Sequence, residues 1–100
     1  MISVYITCKD MDEAKKIAKH LLDSKLIACA NMFPVESMYN WEGKLNEESE
    51  VAMLCKALKH NFKKIESEVK KMHSYDVPCI VAFDWTASNE DYADWVKASE

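Results

Sequence analysis

Hydrophobic and polar positions alternate strictly at the start of the chain. Ile2, Val4, Ile6 and Cys8 fall on one side, Ser3, Tyr5 and Thr7 on the other. A period of two predicts a strand with one covered face. The period then lengthens. Ala14, Ile17, Ala18, Leu21 and Leu22 follow the i, i+3, i+4, i+7, i+8 spacing of one helical stripe, with Lys15, Lys16, Lys19 and Asp23 on the solvent side. Asp10, with Glu13 three residues later, has the pattern of a capping box, and this helix is expected to end near Ser24-Lys25. A second stripe, Leu58, Phe62, Ile65, Val69 and Met72, predicts another amphipathic helix. Cys79 to Trp85 reads as a strand. Ser88 to Asp91 is a capping signature before a short last helix whose apolar face is Tyr92, Trp95 and Val96.

Between the two stripes lies the stretch that organises the rest, Leu26 to Ala57. It reads as two long strands reversing at Glu42-Gly43, and Gly43 is the only glycine in the chain. A tight hairpin needs positive φ there, which glycine adopts without steric cost. About fifteen residues precede the reversal, and at ~3.3 Å each they make a strand of roughly 50 Å. A compact domain of this size has a radius of gyration of only about 13 Å. The arm should therefore project, and Met38, Tyr39 and Trp41 near its end need another surface, which we take to be a second copy of the chain. Pro34 cannot donate to a ladder, so the second strand should be an edge strand or carry a bulge. Glu47-Glu48-Ser49-Glu50 reads as a solvated bend, with Val51 to Ala57 returning as a buried strand.

The order β-α-β-β-α-β-α, with right-handed crossovers, gives an α+β fold. It is a ferredoxin-like βαββαβ sandwich with a long second hairpin and an extra C-terminal helix, one domain over residues 1–100.

Composition narrows the partners. Apolar residues make up 49% of the chain, enough for one core, and 13 basic against 17 acidic residues leave a net charge of −4. That balance disfavours a phosphate-backbone partner, so nucleic acid is not expected. With no 18-residue apolar run, and with Met1 leading straight into a strand, neither a membrane span nor a signal peptide is expected, and the expected location is cytoplasmic. The cysteines at 8, 29, 55 and 79 form no CxxC pair, so they suggest neither a structural zinc site nor a disulfide framework. One glycine cannot build a phosphate-cradling loop.

The topology does bring candidate donors together. The end of the first strand, the end of the second helix and the start of the last strand fall at one sheet edge, which gathers Cys8, Met72, His73 and Cys79. Thiolate, thioether and imidazole suit copper or another soft ion. The same residues also fit structural roles, since Met72 closes an apolar stripe and His73 can cap a helix C-terminus. Cys29 and Cys55 lie at the opposite edge. A two-residue turn at Glu42-Gly43 sets Cys29 across from Lys56, and one bulge would move it to Cys55. A thiol beside an ammonium can be activated. No base is placed beside it, however, and no enzymatic activity is expected.

Several segments together carry a resemblance. Ala28-Cys29-Ala30-Asn31, Tyr39-Asn40-Trp41-Glu42-Gly43-Lys44, Glu50 with Lys56, His73-Ser74-Tyr75-Asp76-Val77-Pro78, and Tyr92 with Trp95 occur in the order and at the spacings of one family. Over essentially its whole length the chain resembles the CutA family, linked to divalent cation tolerance. The resemblance implies a ferredoxin-like fold in a homotrimer whose hairpins cross between subunits, an architecture similar to that of the PII signalling proteins. It further implies binding of copper and other heavy metals; from the topology, the expected ligands are Cys8 and His73, with Met72 and Cys79 in support. The alternative it implies is a PII-like sensor trimer. Such a trimer would bind a small ligand in inter-subunit clefts lined by Cys29, Asn31, Tyr39, Trp41, Glu50, Lys56, His73 and Tyr75, and would signal to a partner protein. Two positions depart from the family. Ser74 stands where the family usually has proline, and Cys79 where it often has Glu or Ala.

Overall fold

The computed structural model describes all 100 residues. The chain runs β1 (Ile2–Cys8), α1 (Met11–Asp23), β2 (Cys29–Trp41), β3 (Lys44–Ala57), α2 (Phe62–Met72), β4 (Ile80–Asp84) and α3 (Glu90–Ala98), with a short 3-10 turn at Lys59–Asn61 before α2. The four strands form one antiparallel sheet in the order β2-β3-β1-β4, which is the ferredoxin-like arrangement.

The alternation in β1 decides where the core lies. Ile2, Val4, Ile6 and Cys8 are buried and pack with Val51, Met53, Cys55 and Ala57 of β3 under Ala14, Ile17, Ala18 and Leu21 of α1 and Ile65 and Val69 of α2. Asp10 caps α1 by accepting from the Glu13 N–H at 2.8 Å. At the other end of α1, Leu26 N–H bonds Leu21 O and Lys25 N–H bonds Leu22 O, both at 3.0 Å. This is a Schellman closure with Lys25, at φ 58°, in the place that glycine usually fills.

The opposite face of the sheet is only half covered. α3 closes the end bearing Ser3, Cys29 and Lys56. There Val96 is buried, the rings of Trp85, Tyr92 and Trp95 stack at centroid separations of 5.9 and 5.7 Å, and Trp85 Nε1 donates to Ser3 Oγ at 2.8 Å. Beyond α3, Phe33, Val81 and Phe83 remain exposed on that same face.

The hairpin reverses at Glu42 and Gly43, with φ values of 52° and 76°. Two successive positive φ values are what a type I′ turn requires. The register is unbroken from Trp41↔Lys44 to Cys29↔Lys56. The bulge considered for Cys29 is therefore absent, and Pro34, opposite Val51, is accommodated because β2 is an edge strand. The bend expected at Glu47 to Glu50 is also corrected. These residues are paired strand, opposite Met38, Ser37, Glu36 and Val35 in turn. Ser49 Oγ donates to Glu36 at 2.9 Å and Tyr39 OH to Glu48 at 2.8 Å, so cross-strand partners hold what composition suggested was a bend.

β1 ends at Cys8, opposite Val51, so from Val35 and Glu50 onward the hairpin continues without a third strand. Seven residues of each strand project by roughly 23 Å. The molecule is 46 Å long against 27 and 21 Å in its other dimensions. On the arm Met38 is 63%, Trp41 63% and Leu45 62% exposed.

Candidate functional site

The segment joining α2 to β4 holds the densest polar network in the molecule. The His73 ring is fully buried. Its Nε2 lies 2.7 Å from the carbonyl oxygen of Thr7 on β1, which can only accept, so that nitrogen carries the proton. Nδ1 accepts the Tyr75 N–H at 3.1 Å. Both nitrogens of a neutral imidazole are thus in use. Glu13, the one buried charged residue, accepts the Lys9 N–H through Oε1 and the Ser74 N–H through Oε2, each at 3.0 Å. Burial pushes its carboxyl up. The bonds from Lys9 and Ser74, with His73 nearby, outweigh burial and hold it below its ordinary value. Tyr75 OH in turn donates to Glu50 Oε2 at 2.7 Å, which ties the segment to the root of the arm. Burial, reinforced by that carboxylate, raises the Tyr75 phenol well above its ordinary range.

Of the four expected metal donors, two converge. Donor atoms of Cys8, His73 and Glu13 all lie within 4.8 Å of one another. The second sulfur beside Cys8 is neither Met72 nor Cys79 but Met53, whose Sδ is 3.6 Å from Cys8 Sγ. Met72 is 38% exposed and lines a surface pocket with Lys9, Asp10, Glu13 and Lys16. Cys79 faces a cleft beside the arm. Of the expected set, Cys8 and His73 meet, and the third donor beside them is Glu13 rather than Cys79. Burial, then the charges of Glu13 and Asp10, push the Cys8 thiol up to about 12.

The residues expected around a cleft also divide. Tyr39, Trp41, Glu50 and Tyr75 line one open cleft of about 660 Å³, together with Glu48, Asp76 and Val77. Cys29 and Lys56 sit at the far end of the hairpin, opposite each other, and Asn31 pairs with Leu54 between the two regions. Cys29 Sγ lies 3.2 Å from Tyr92 OH, so its partner is a phenol rather than a base. That bond, followed by burial, raises the Tyr92 phenol to about 12. Within one chain the cleft set is therefore two separate groups. Glu13, Met53, Glu48 and Tyr92 complete the geometry without having been singled out as site residues in the sequence. Met53 was within reach of register arithmetic. It pairs with Ile6, so Cys8 two residues on is its diagonal neighbour on the same face.

The fold has close counterparts among known proteins. The CutA1 divalent ion tolerance protein family matches residues 2–99. The divalent-cation tolerance protein CutA of Archaeoglobus fulgidus is 43% identical over 93 residues, covering 93% of this chain and 91% of that protein. A solved structure of the A. fulgidus protein, described as a periplasmic divalent cation tolerance protein, superposes with a TM-score of 0.95 at 41% identity, covering 99% of this chain and 98% of that one. CutA1 from Pyrococcus horikoshii gives a TM-score of 0.94 at 38% identity, covering 99% and 97%. Identity at this level across the whole chain, with superposition at TM-scores of 0.94 and 0.95, establishes kinship: the chain belongs to the CutA family of divalent ion tolerance proteins.

Proposed function

We propose that this protein serves divalent cation tolerance as a cytoplasmic homotrimer that binds copper and similar heavy-metal ions. The observation that carries the metal reading is the buried convergence of Cys8, Met53, His73 and Glu13. Two sulfurs with imidazole and carboxylate form a soft-leaning donor set, which suits copper better than magnesium or calcium. As folded, His73 has no spare lone pair, because Thr7 and Tyr75 occupy its two nitrogens. Sulfur would anchor an ion here, and His73 would join by giving up its bond to Tyr75. Four unpaired cysteines support a reducing compartment. The phenol beside Cys29 supports a binding protein rather than a cysteine enzyme.

The trimer is supported by the unpaired arm and by the open half of the sheet, where apolar side chains lie bare. Equilibrium dialysis against copper tests the metal reading. The wild type should retain ions in proportion to chains, and Cys8→Ser combined with His73→Ala should lose them while keeping the assembly mass. Unchanged stoichiometry and affinity in the double variant would show the cluster is not the site.

A second reading, a PII-like sensor that binds a small ligand between subunits, is favoured by the cleft beside the arm. Its 660 Å³ and aromatic walls are typical of ligand pockets. Thermal shifts against metals and metabolites separate the two readings, since a ligand at a hundred times its dissociation constant stabilises by about 2.7 kcal/mol.

A further inference from the structure

A single side-chain hydrogen bond ties the arm to the rest of the chain. Tyr39 bonds Glu48, Ser49 bonds Glu36 and the Asn46 amide bonds the Lys44 carbonyl oxygen, so these contacts close on the arm itself. No residue from Val35 to Glu50 takes part in an ion pair. The exception is Glu50, whose Oε2 accepts the Tyr75 hydroxyl at 2.7 Å. Glu50 stands one residue before Val51, the last β3 partner of β1, and so marks the root of the arm. The bond lies within one chain and needs no open cleft.

The other end of Tyr75 leads into the buried cluster. Its N–H donates to His73 Nδ1 at 3.1 Å, and its ring lies against the imidazole with centroids 4.8 Å apart. The Thr7 carbonyl oxygen holds the Nε2 proton, so Nδ1 bears the one basic lone pair of the ring. His73 can offer that pair to an ion beside Cys8 only by releasing the Tyr75 N–H. A fully buried ring in a close-packed interior cannot turn without shifting the phenol packed on it. Tyr75 therefore joins the residue that must move to the root of the arm. We propose that Tyr75 couples metal occupancy of the Cys8, Met53, His73 and Glu13 cluster to the arm. With His73 committed to an ion, the Tyr75 N–H is freed, its hydroxyl loosens from Glu50, and the arm root opens more often. This rests on the metal reading of the cluster and names how that site is regulated. Linkage makes the coupling reciprocal: cutting the Tyr75–Glu50 bond raises the affinity for the ion by the factor by which the ion weakens the bond.

Amide hydrogen exchange on the full chain in its native assembly, with and without copper at the saturating level set by dialysis, tests the proposal. Copper should speed exchange at Tyr75 and at the arm root around Val35 and Glu50 by about tenfold, the worth of one hydrogen bond to a carboxylate, and leave β1 unchanged. Tyr75→Phe should exchange fast at the root without copper, respond no further to it, and bind copper about tenfold more tightly. Glu50→Gln weakens the same bond from the arm side and should move both readouts in the same direction by less. Assembly mass and circular dichroism are followed for each variant, and Glu50→Gln serves if Tyr75→Phe changes either. An arm root indifferent to bound copper, or wild-type copper affinity in both variants, overturns the coupling and leaves the metal reading standing. A wild type that retains no copper sinks the metal reading and the coupling with it.

Discussion

Removing the Glu13 side chain should cost more than any other single polar change. The carboxylate is 8% exposed and accepts two backbone N–H groups at 3.0 Å, one from the β1–α1 connection and one from the segment that follows α2. Glu13→Ala leaves both donors without a partner, at about 1–3 kcal/mol each, offset in part by no longer burying a charge, for a net loss of about 2–5 kcal/mol. Glu13→Gln keeps one carbonyl oxygen and should lose about half as much. Ser74→Pro supplies the cross-check. Proline has no N–H to present to Oε2, and His73, at φ −73° and ψ 141°, already has the backbone that precedes a proline. In the Ser74→Pro background the cost of Glu13→Ala should therefore shrink to about one lost bond, a coupling that a double-mutant cycle reads directly.

The same carboxylate predicts an acid limb. Its folded value lies below the unfolded one, so its contribution is present above about pH 4.5 and is lost as pH falls through the lowered folded value. Urea unfolding followed by circular dichroism, at one fixed protomer concentration and several pH values, measures all of this. Glu13→Ala within about 0.5 kcal/mol of wild type would refute the reasoning, as would an acid limb that Glu13→Gln leaves unchanged.

The turn and the cysteines give two more outcomes. Glu42 holds φ 52° without being glycine, so Glu42→Asn should stabilise the hairpin by about 0.5–1 kcal/mol. Gly43→Ala should destabilise it by about 1 kcal/mol, for backbone reasons alone because no atom lies within 4 Å of an added Cβ. Thermal or urea unfolding checks both signs. Alkylation mapped by mass spectrometry should label Cys79 and Cys29, which are partly exposed, long before Cys8 and Cys55. Burial of the latter two pushes each thiol up to about 12 from 9.0, about a thousandfold less thiolate at neutral pH. Equal labelling of all four would contradict the packing described.

Patterns tied to a period were legible in the sequence, and side-chain direction was not. Alternation in β1 and the two helical stripes fixed the elements, and a single glycine fixed the hairpin register to the residue, from Trp41↔Lys44 down to Cys29↔Lys56. The acidic stretch from Glu47 to Glu50 misled because charge and low strand propensity signal a bend. In the folded chain Ser49–Glu36 and Tyr39–Glu48 bonds hold it as strand. The metal set was legible only in part, in the pair Cys8 and His73. Topology brought three segments to one sheet edge but could not say which way each side chain turns. Met72 ends a helix at the surface and Cys79 opens on the cleft, while Met53 approaches Cys8 from the strand beside it. Glu13 was legible as a capping residue. Its second role, as acceptor for Ser74, joins positions 61 residues apart and leaves no local signal.

The arm outgrows its own domain and needs copies of the chain to cover its exposed side chains. Sedimentation equilibrium of the full chain, beside a variant cut back to Ser37 and Glu47 with a new two-residue turn, tests this most directly. The full chain should have three times the 11.5 kDa protomer mass, and the truncated chain should be monomeric with its circular dichroism intact. A truncated chain that still forms trimers, or a full chain that sediments as a monomer, would contradict it.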